Sequence, residues 1–323
     1  MASTSIIVSL LLALLCVCGC EGSGLRHHFY KKSCPSAEAT VEHVVKKYIA
    51  KDRTLAAPLL RMNFHDCFVR GCDGSVLLNS TANNSAEKAA IPNLSLRGYE
   101  VIDATKEELE KKCPGVVSCA DILALVARDA VLEGSGGPFW RVRTGRRDGV
   151  ISRQNEVLTN LPPPFFNFSQ LQASFARKGL SVKDLVVLSG GHSIGRGHCP
   201  GFSNRLYNFT GKGDMDPSLD STYAKFLKKQ CTSLADTTTS VEMDPHSSLS
   251  LDSHYFTTLE ANRGLFQSDA ALLTNSVAKK LVDHQVNKKR FFRNFKHSMQ
   301  KMSEIEVLTG NDGQIRRHCA FIN

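Results

Sequence analysis

The chain has 323 residues, of which 42% are hydrophobic, so a sizeable core can be buried. Its formal net charge is +9, but the basic residues are dispersed and the longest run is Lys-Lys-Arg at 288–290. We therefore do not expect nucleic acid as a partner. Beyond the N-terminal region, no hydrophobic stretch has the length of a membrane span.

The N-terminal residues differ from the rest of the chain. The apolar run SIIVSLLLALLCVC at 5–18 has the length of a signal-peptide core and is followed by small residues and glycine. It is too short for a comfortable transmembrane helix. No basic residue precedes it, and VCGC faintly resembles a bacterial lipobox. We expect a secretory signal peptide at 1–22, cleaved between residues 19 and 25, and a mature domain at 23–323.

Cysteine usage agrees with export. The signal would remove three of the eleven cysteines, and the remaining even number indicates four disulfides among about 105 arrangements. Asn-X-Ser/Thr sequons, which accept glycan in exported chains, begin at Asn79, Asn83, Asn93, Asn167 and Asn208. For an exported basic protein we expect an acidic matrix, such as a carboxylate-rich cell wall, as polymeric partner.

The spacing of apolar residues is mostly helical. It predicts helices in six segments, which are 37–51, 97–113, 119–132, 168–180, 181–189 and 275–286. Ser181 and Asp184 form a capping-box-like start, and Gly190-Gly191 ends that helix. The proline cluster at 160–166 predicts an ordered loop. Strand signals are scarce, so we predict a mainly α fold in one compact unit.

Two stretches carry residues suited to chemistry. In APLLRMNFHDC, Arg61 and His65 lie four residues apart and share a helix face, while Asp66 is turned about 100° from His65. In DLVVLSGGHSIG, His192 follows two glycines at the end of an apolar helix. It could interact with the helix C-terminus, or serve as axial ligand to the metal of a large flat cofactor. Neither stretch is decisive alone.

Together the two stretches resemble the distal and proximal motifs of the plant-type haem peroxidases. The segments GGPFWRVRTGRRDG, NLPPPFF, NRLYNFTGKGDMDPSLD, GLFQSDAALL and GQIRRHCAFIN resemble the secreted plant (class III) members over essentially the whole mature chain. The resemblance implies two helical subdomains with one haem b between them, two calcium ions and four disulfides.

The resemblance also implies roles for the haem-side residues. His192 would be the axial ligand of the iron, and Asp269 would accept a hydrogen bond from its other nitrogen. Phe64 would lie beside the haem, and it favours the secreted class because intracellular relatives usually carry Trp there.

On the peroxide side of the haem, the resemblance implies three catalytic residues. His65 would move a proton between the two peroxide oxygens, Arg61 would stabilise the developing negative charge, and Asn93 would fix the tautomer of His65. Glu87 would in turn hold Asn93, which puts glycosylation of Asn93 in doubt. The implied product is an oxyferryl porphyrin radical that two donor molecules then reduce.

Calcium, disulfide and donor sites follow from the same resemblance. The first calcium would bind Asp66, Val69, Gly71, Asp73 and Ser75, and the second Ser193, Asp244, Ser247, Ser250 and Asp252. The implied disulfides are Cys34–Cys113, Cys67–Cys72, Cys119–Cys319 and Cys199–Cys231. The Pro162 carbonyl would meet phenolic donors. Glu306 departs from the family, because glycine is usual there.

The sequence thus predicts a monomeric, secreted haem peroxidase, extracellular rather than vacuolar, that uses hydrogen peroxide to oxidise phenolic donors. Lignin precursors, extensin tyrosines, flavonoids and auxin all remain candidate donors. One alternative is a catalytically idle haem-containing wall protein, which would need a broken distal pair, whereas Arg61, His65 and Asn93 are all present. A second is a calcium- or carbohydrate-binding module without haem, against which His192 and Asp269 argue.

Overall fold

The computed structural model describes residues 24–323, and the predicted signal peptide, which lies outside them, remains a prediction. The described chain is mainly α-helical, as predicted. Its helices are α1 (Ala37–Ile49), α2 (Ala56–Val69), α3 (Tyr99–Lys112), α4 (Cys119–Ser135), α5 (Gln154–Asn160), α6 (Phe168–Arg177), α7 (Val182–Ser189), α8 (Ser203–Tyr207), α9 (Ser221–Gln230), α10 (His254–Glu260), α11 (Gln267–Ala271), α12 (Ser276–Gln285) and α13 (Lys288–Met302).

Strands are short, as the scarcity of strand signals predicted. The antiparallel pair β1 (Arg196–His198) and β2 (Ser240–Glu242) is the one sheet in residues 24–323. In the same part of the chain, no helix is long and apolar enough to cross a membrane.

All six segments with helical spacing form helices, namely α1, α3, α4, α6, α7 and α12. The start of α7 has the predicted capping box, in which Ser181 and Asp184 each bond the other's backbone N–H. The helix ends at Ser189, immediately before the two glycines. The longest helix that we did not predict is α13. Its apolar residues are interspersed with six Lys or Arg residues.

The longer helices form two groups. In the first, α4 packs against α1, α2 and α3; in the second, α7 packs against α6, α12 and α13. The turn after α7 brings the groups together. A Cβ added at Gly195 would lie 2.8 Å from the Cβ of Ala57, and one at Gly191 would lie 3.6 Å from Leu60. His192 is therefore held beside the first half of α2.

Covalent bridges tie distant parts of the chain to these helices. The four disulfides are Cys34–Cys113, Cys67–Cys72, Cys119–Cys319 and Cys199–Cys231, the pairing that the resemblance implies. The Cys119–Cys319 bridge joins residues 200 positions apart. Nearby, the fully buried Arg316 donates to the Gly74 carbonyl at 2.6 Å. The C-terminal segment thus supports the loop that follows α2.

Candidate active site

One face of α2 is left open by the packing of its neighbours. Ala57, Pro58, Arg61 and Phe64 are partly exposed, whereas every other residue of α2 is buried. Their spacing of one, three and three residues places them on a single helix face, the one nearest the His192 turn. The sequence prediction that Arg61 and His65 share a face of this helix agrees with their positions.

The imidazole of His65 is held by an amide. Its Nδ1 lies 2.5 Å from Asn93 Oδ1, and Asn93 Nδ2 donates to the Glu87 main-chain carbonyl at 2.8 Å. Because the second bond fixes the amide, Asn93 Oδ1 accepts and His65 Nδ1 carries the proton. Nε2 is then the free basic nitrogen. Burial, and then the charge of Arg61, hold the pKa of His65 well below its ordinary value.

Glu87 holds Asn93 through its backbone and not through its carboxyl group. Both carboxyl oxygens of Glu87 are buried without a hydrogen-bond partner in the described structure. Burial, reinforced by the charge of Asp66, raises the pKa of Glu87 to about 9, so this side chain is neutral at physiological pH. Asn93 itself is 2% exposed with both amide atoms engaged, so it has no free group to accept glycan.

Arg61 is fixed by the same segment that holds His65. Its Nη1 donates to Ser95 Oγ at 2.9 Å and its Nη2 to the Pro92 carbonyl at 2.7 Å. We did not anticipate Ser95 or Pro92, although both adjoin the predicted Asn93. Burial lowers the pKa of Arg61 to about 10, which still leaves the guanidinium charged at neutral pH. Residues 92–95 therefore position both polar side chains at the open face of α2. We refer to the region between this face and the His192 turn as the cleft.

His192 is held by a carboxylate instead. Its Nδ1 lies 2.8 Å from Asp269 Oδ1, and its side chain is 37% exposed. Asp269 also accepts from the Tyr255 hydroxyl at 2.7 Å and the Phe266 backbone N–H at 2.9 Å. Burial alone would raise the pKa of Asp269, but His192 and these donors bring it below its ordinary value. Tyr255, which we did not anticipate, thus shares the Asp269 oxygen that His192 uses.

The residues at this cleft fit a haem. His192 offers an imidazole nitrogen whose other nitrogen is hydrogen-bonded to a carboxylate, the arrangement typical of a metal-ligating histidine. Gly191 and Gly195, which flank His192, let the backbone of this turn come close to α2, where a Cβ at Gly195 would lie 2.8 Å from that of Ala57. Phe64, half-buried on the open face of α2, would offer an apolar surface to the ring.

The residues predicted to bind the first calcium lie in the last turn of α2 and in the loop that follows it. Asp66 and Asp73 are buried, and the unpartnered Ser75 Oγ is buried with them. Asp66 accepts from the Gly74 and Val76 N–H groups at 3.0 and 3.3 Å. Burial raises the pKa of both carboxyls, that of Asp73 to about 6, and Asp73 raises that of Asp66 further. Two close buried carboxylates beside a free hydroxyl fit a hard cation.

The residues predicted to bind the second calcium lie in and beside the His192 turn. Ser193 Oγ accepts from the Asp252 N–H at 3.3 Å, and Ser247 Oγ donates to Asp252 Oδ2 at 3.0 Å. Asp244 Oδ2 is buried without a partner, while its Oδ1 lies 2.6 Å from His254 Nδ1. Each set contains two carboxylates, and no group of three or more His, Cys, Asp or Glu suited to a metal occurs in residues 24–323. Hydroxyls and carbonyls would complete both sets, including the Ser250 carbonyl in the second.

The proline loop follows α5 and is anchored next to Asp269. The Pro164 carbonyl accepts from the Ser268 N–H at 2.8 Å, and the Pro163 carbonyl accepts from Phe166 at 3.2 Å. In contrast, no donor within residues 24–323 bonds the carbonyl of the partly exposed Pro162. That carbonyl is therefore free for an external donor, in keeping with its predicted role.

Comparison with known proteins agrees with this geometry. The peroxidase family model matches residues 41–288. The chain is 56% identical to peroxidase 27 of Arabidopsis thaliana over 100% of its own length and 99% of that protein. It is 56% identical to peroxidase 56 of the same plant over 93% and 91% of the two chains. Its identity to peroxidase 1 of Oryza sativa subsp. japonica is 51%, over the full length of both. The chain therefore belongs to the plant-type peroxidase family.

Proposed function

We propose that this peroxidase binds one haem b between α2 and the His192 turn and, with hydrogen peroxide, oxidises small phenolic donors outside the cell. The observation that carries the proposal is the pair of histidines with unlike partners, since Nδ1 of His65 bonds an amide and Nδ1 of His192 bonds a carboxylate. Such a pair supplies a neutral base on one side of a cleft and an electron-rich ligand on the other.

Bound haem would supply the redox chemistry that accepts two oxidising equivalents from peroxide. The chain's own residues would move the proton and manage charge. Nε2 of His65 would take a proton from one peroxide oxygen and return it to the departing oxygen, which leaves as water. The Arg61 guanidinium would stabilise the negative charge that develops as the O–O bond breaks. His192 would hold the cofactor, with Asp269 increasing the electron density of its imidazole.

Two calcium ions would stiffen this arrangement, because each set begins immediately after a functional histidine, at Asp66 and at Ser193. We expect a chelator to lower thermal stability and to loosen both sides of the cleft. A ligand at about a hundred times its Kd contributes about 2.7 kcal/mol, so its removal should lower the Tm by several degrees. A Tm unchanged by chelation and by Asp73→Asn would rule out the first calcium site.

The donor and the location of the protein complete the proposal. The free Pro162 carbonyl supports hydrogen bonding to a phenol, and four disulfides support an oxidising, extracellular compartment. We further propose a monomer whose excess positive charge attracts acidic wall polysaccharide.

Absorbance and turnover of the purified protein test the proposal. We expect a Soret band, and peroxide-dependent oxidation across a panel of phenolic donors, with the preferred donor identified by kcat/KM. A Soret band without turnover would support the idle wall-protein alternative. Failure of the protein to bind haem after reconstitution would exclude both the peroxidase and the idle wall protein.

A further inference from the structure

The outer face of α13 concentrates positive charge. The helix carries six Lys or Arg residues, and the chain has no Asp or Glu from position 284 to 303. The exposed cations are Lys288, Lys289, Arg290, Arg293, Lys296 and Lys301. The sequence had suggested dispersed basic residues, because the register of a helix is needed to see that they share a side.

The geometry of a helix aligns three of these cations in a row. Lys289, Arg293 and Lys296 fall within about 60° of one another around the axis and span about 10 Å along it. Arg290 lies beside this row, as does the exposed His297. The opposite side of α13 is buried, with Phe291, Phe295 and Met299 in the core. We refer to Lys289, Arg290, Arg293 and Lys296 as the basic face.

The basic face has no internal counter-charge. Lys301 is paired with Asp184 at 3.0 Å, so it belongs to the anchor of the helix and not to this face. For the four residues of the basic face, no carboxylate within residues 24–323 lies at ion-pair distance. Four unpaired cations on one rigid helix repel each other, and a bound polyanion would relieve that repulsion.

The surroundings of the basic face favour a carboxylate polymer over other polyanions. No large apolar side chain is exposed on α13, so the face has nothing to insert into a lipid bilayer. No Phe, Tyr or Trp ring of α13 is exposed, so the face lacks the stacking surface that nucleic-acid bases usually use. The disulfide framework belongs to an oxidising compartment, which does not hold nucleic acid as its main polyanion.

We propose that the basic face is a docking surface for a polyuronate, a linear polysaccharide with a carboxylate on its sugar units. The inference deepens the acidic-polysaccharide partner of the proposed function by assigning it to one helix. The inner side of α13 packs Phe291 against Gly190, two residues before His192, and its outer side points away from that contact. A docked polymer would therefore leave the cleft between α2 and the His192 turn open.

Binding of the haem-loaded protein to polygalacturonate tests the inference. The test variant is Lys289→Gln/Arg293→Gln/Lys296→Gln, and the control is Lys31→Gln/Lys47→Gln/Lys51→Gln, three exposed lysines elsewhere that carry no ion pair in the described chain. Both variants lose three charges. We expect the test variant to bind roughly tenfold more weakly or worse, the control to bind nearly as wild type, and all binding to fall with salt.

Several outcomes would overturn the inference. These are equal weakening of the two variants, equal binding to fully methyl-esterified polygalacturonate, or tighter binding to single-stranded DNA or anionic vesicles at matched charge. Turnover of a small phenolic donor, measured in all three proteins, reports separately on the proposed function. If the test variant binds more weakly than the control but none of the three proteins oxidises the donor, the docking surface would be supported and the peroxidase proposal would fail.

Discussion

The two sides of the cleft hold the same kind of side chain by opposite kinds of partner, which suits the opposite roles that we propose for them. His65 is 4% exposed and bonds the neutral amide of Asn93, whereas His192 has a 37% exposed side chain and bonds the charged Asp269. An amide partner leaves the imidazole neutral and fixes its tautomer, so Nε2 can act as a base. A carboxylate partner adds negative character, so Nε2 becomes a stronger metal ligand. The Nδ1 partner, more than the histidine, therefore determines the role.

The largest effect is expected from removing the base. His65→Ala should slow the reaction with peroxide by about 10² to 10⁴, because the proton transfer loses its positioned carrier. Haem binding should persist, since His192 is untouched. Stopped-flow mixing with peroxide measures the rate, and the exposed His43, changed to Ala on α1, is the matched control. A rate equal to wild type would remove His65 from the mechanism.

Asp269→Asn gives both histidines amide partners. Loss of the carboxylate should weaken His192 as a ligand and cost about 10- to 100-fold in haem affinity or peroxide reactivity. Haem titration and the same stopped-flow assay separate the two effects. Asp283→Asn, at an exposed position on α12 whose side chain makes no hydrogen bond or ion pair within residues 24–323, removes the same charge and should behave as wild type. Equal behaviour of the two variants would contradict the ligand role.

Asn93→Asp makes the converse change, because it gives His65 a carboxylate partner, and it should alter the pH dependence of the reaction with peroxide. Burial and Arg61 hold the pKa of His65 low in the wild type, so the base stays neutral in mild acid. A carboxylate partner would raise that pKa, and the rate at pH 5 should fall about tenfold relative to pH 8. The unfolded wild-type chain binds this proton more readily, so acidification below about pH 6.5 destabilises the fold, and the variant should be less sensitive. An unchanged profile would mean that the residue at position 93 does not influence the pKa of His65.

The smallest effect is expected from Tyr255→Phe, which removes one hydroxyl from the carboxylate partner of His192. Its hydroxyl draws charge from the Asp269 oxygen that His192 also uses. Its removal should leave more negative charge for His192 and shift the iron–imidazole stretching frequency upward, with a few-fold change in rate. Tyr223→Phe is the control, because the buried Tyr223 hydroxyl has no partner in the described structure. Identical spectra for the two variants would contradict this role.

Much of the helical scaffold follows from local sequence. Ser181 and Asp184 specify the start of α7 by a capping box that involves only neighbouring residues. Its end is different, because Gly190 keeps right-handed backbone and lacks room for a side chain beside Phe291, about 100 residues later in the chain. Helix α13 was missed although Phe291, Phe295 and Met299 have helical spacing. The run of basic residues at its start obscured that pattern, and its packing against α7 depends on contacts far away in the chain.

The site residues were predicted from the resemblance, whereas the contacts that hold them could be found only from the fold. Arg61 donates to the main-chain carbonyl of Pro92, and Asn93 donates to that of Glu87. Every residue has a main-chain carbonyl, so the sequence does not indicate which ones accept these bonds. Glu306 was flagged because glycine is usual there, and its φ of 47° is indeed left-handed. Its carboxylate pairs with Lys178 at 2.7 Å, a contact that helps to hold this unfavourable backbone.

The closure of the loop after α2 by the far end of the chain has a consequence for biosynthesis. Arg316 reaches the Gly74 carbonyl, and Cys319 bonds Cys119 at the start of α4. Arg316 follows Gly74 by 242 positions, so these contacts form only long after the loop itself has been made. The half of the molecule that carries His65 therefore stays incomplete until residues 316–319 have been made and the Cys119–Cys319 bridge has closed. A chain that stops before Arg316 would be unable to secure that loop.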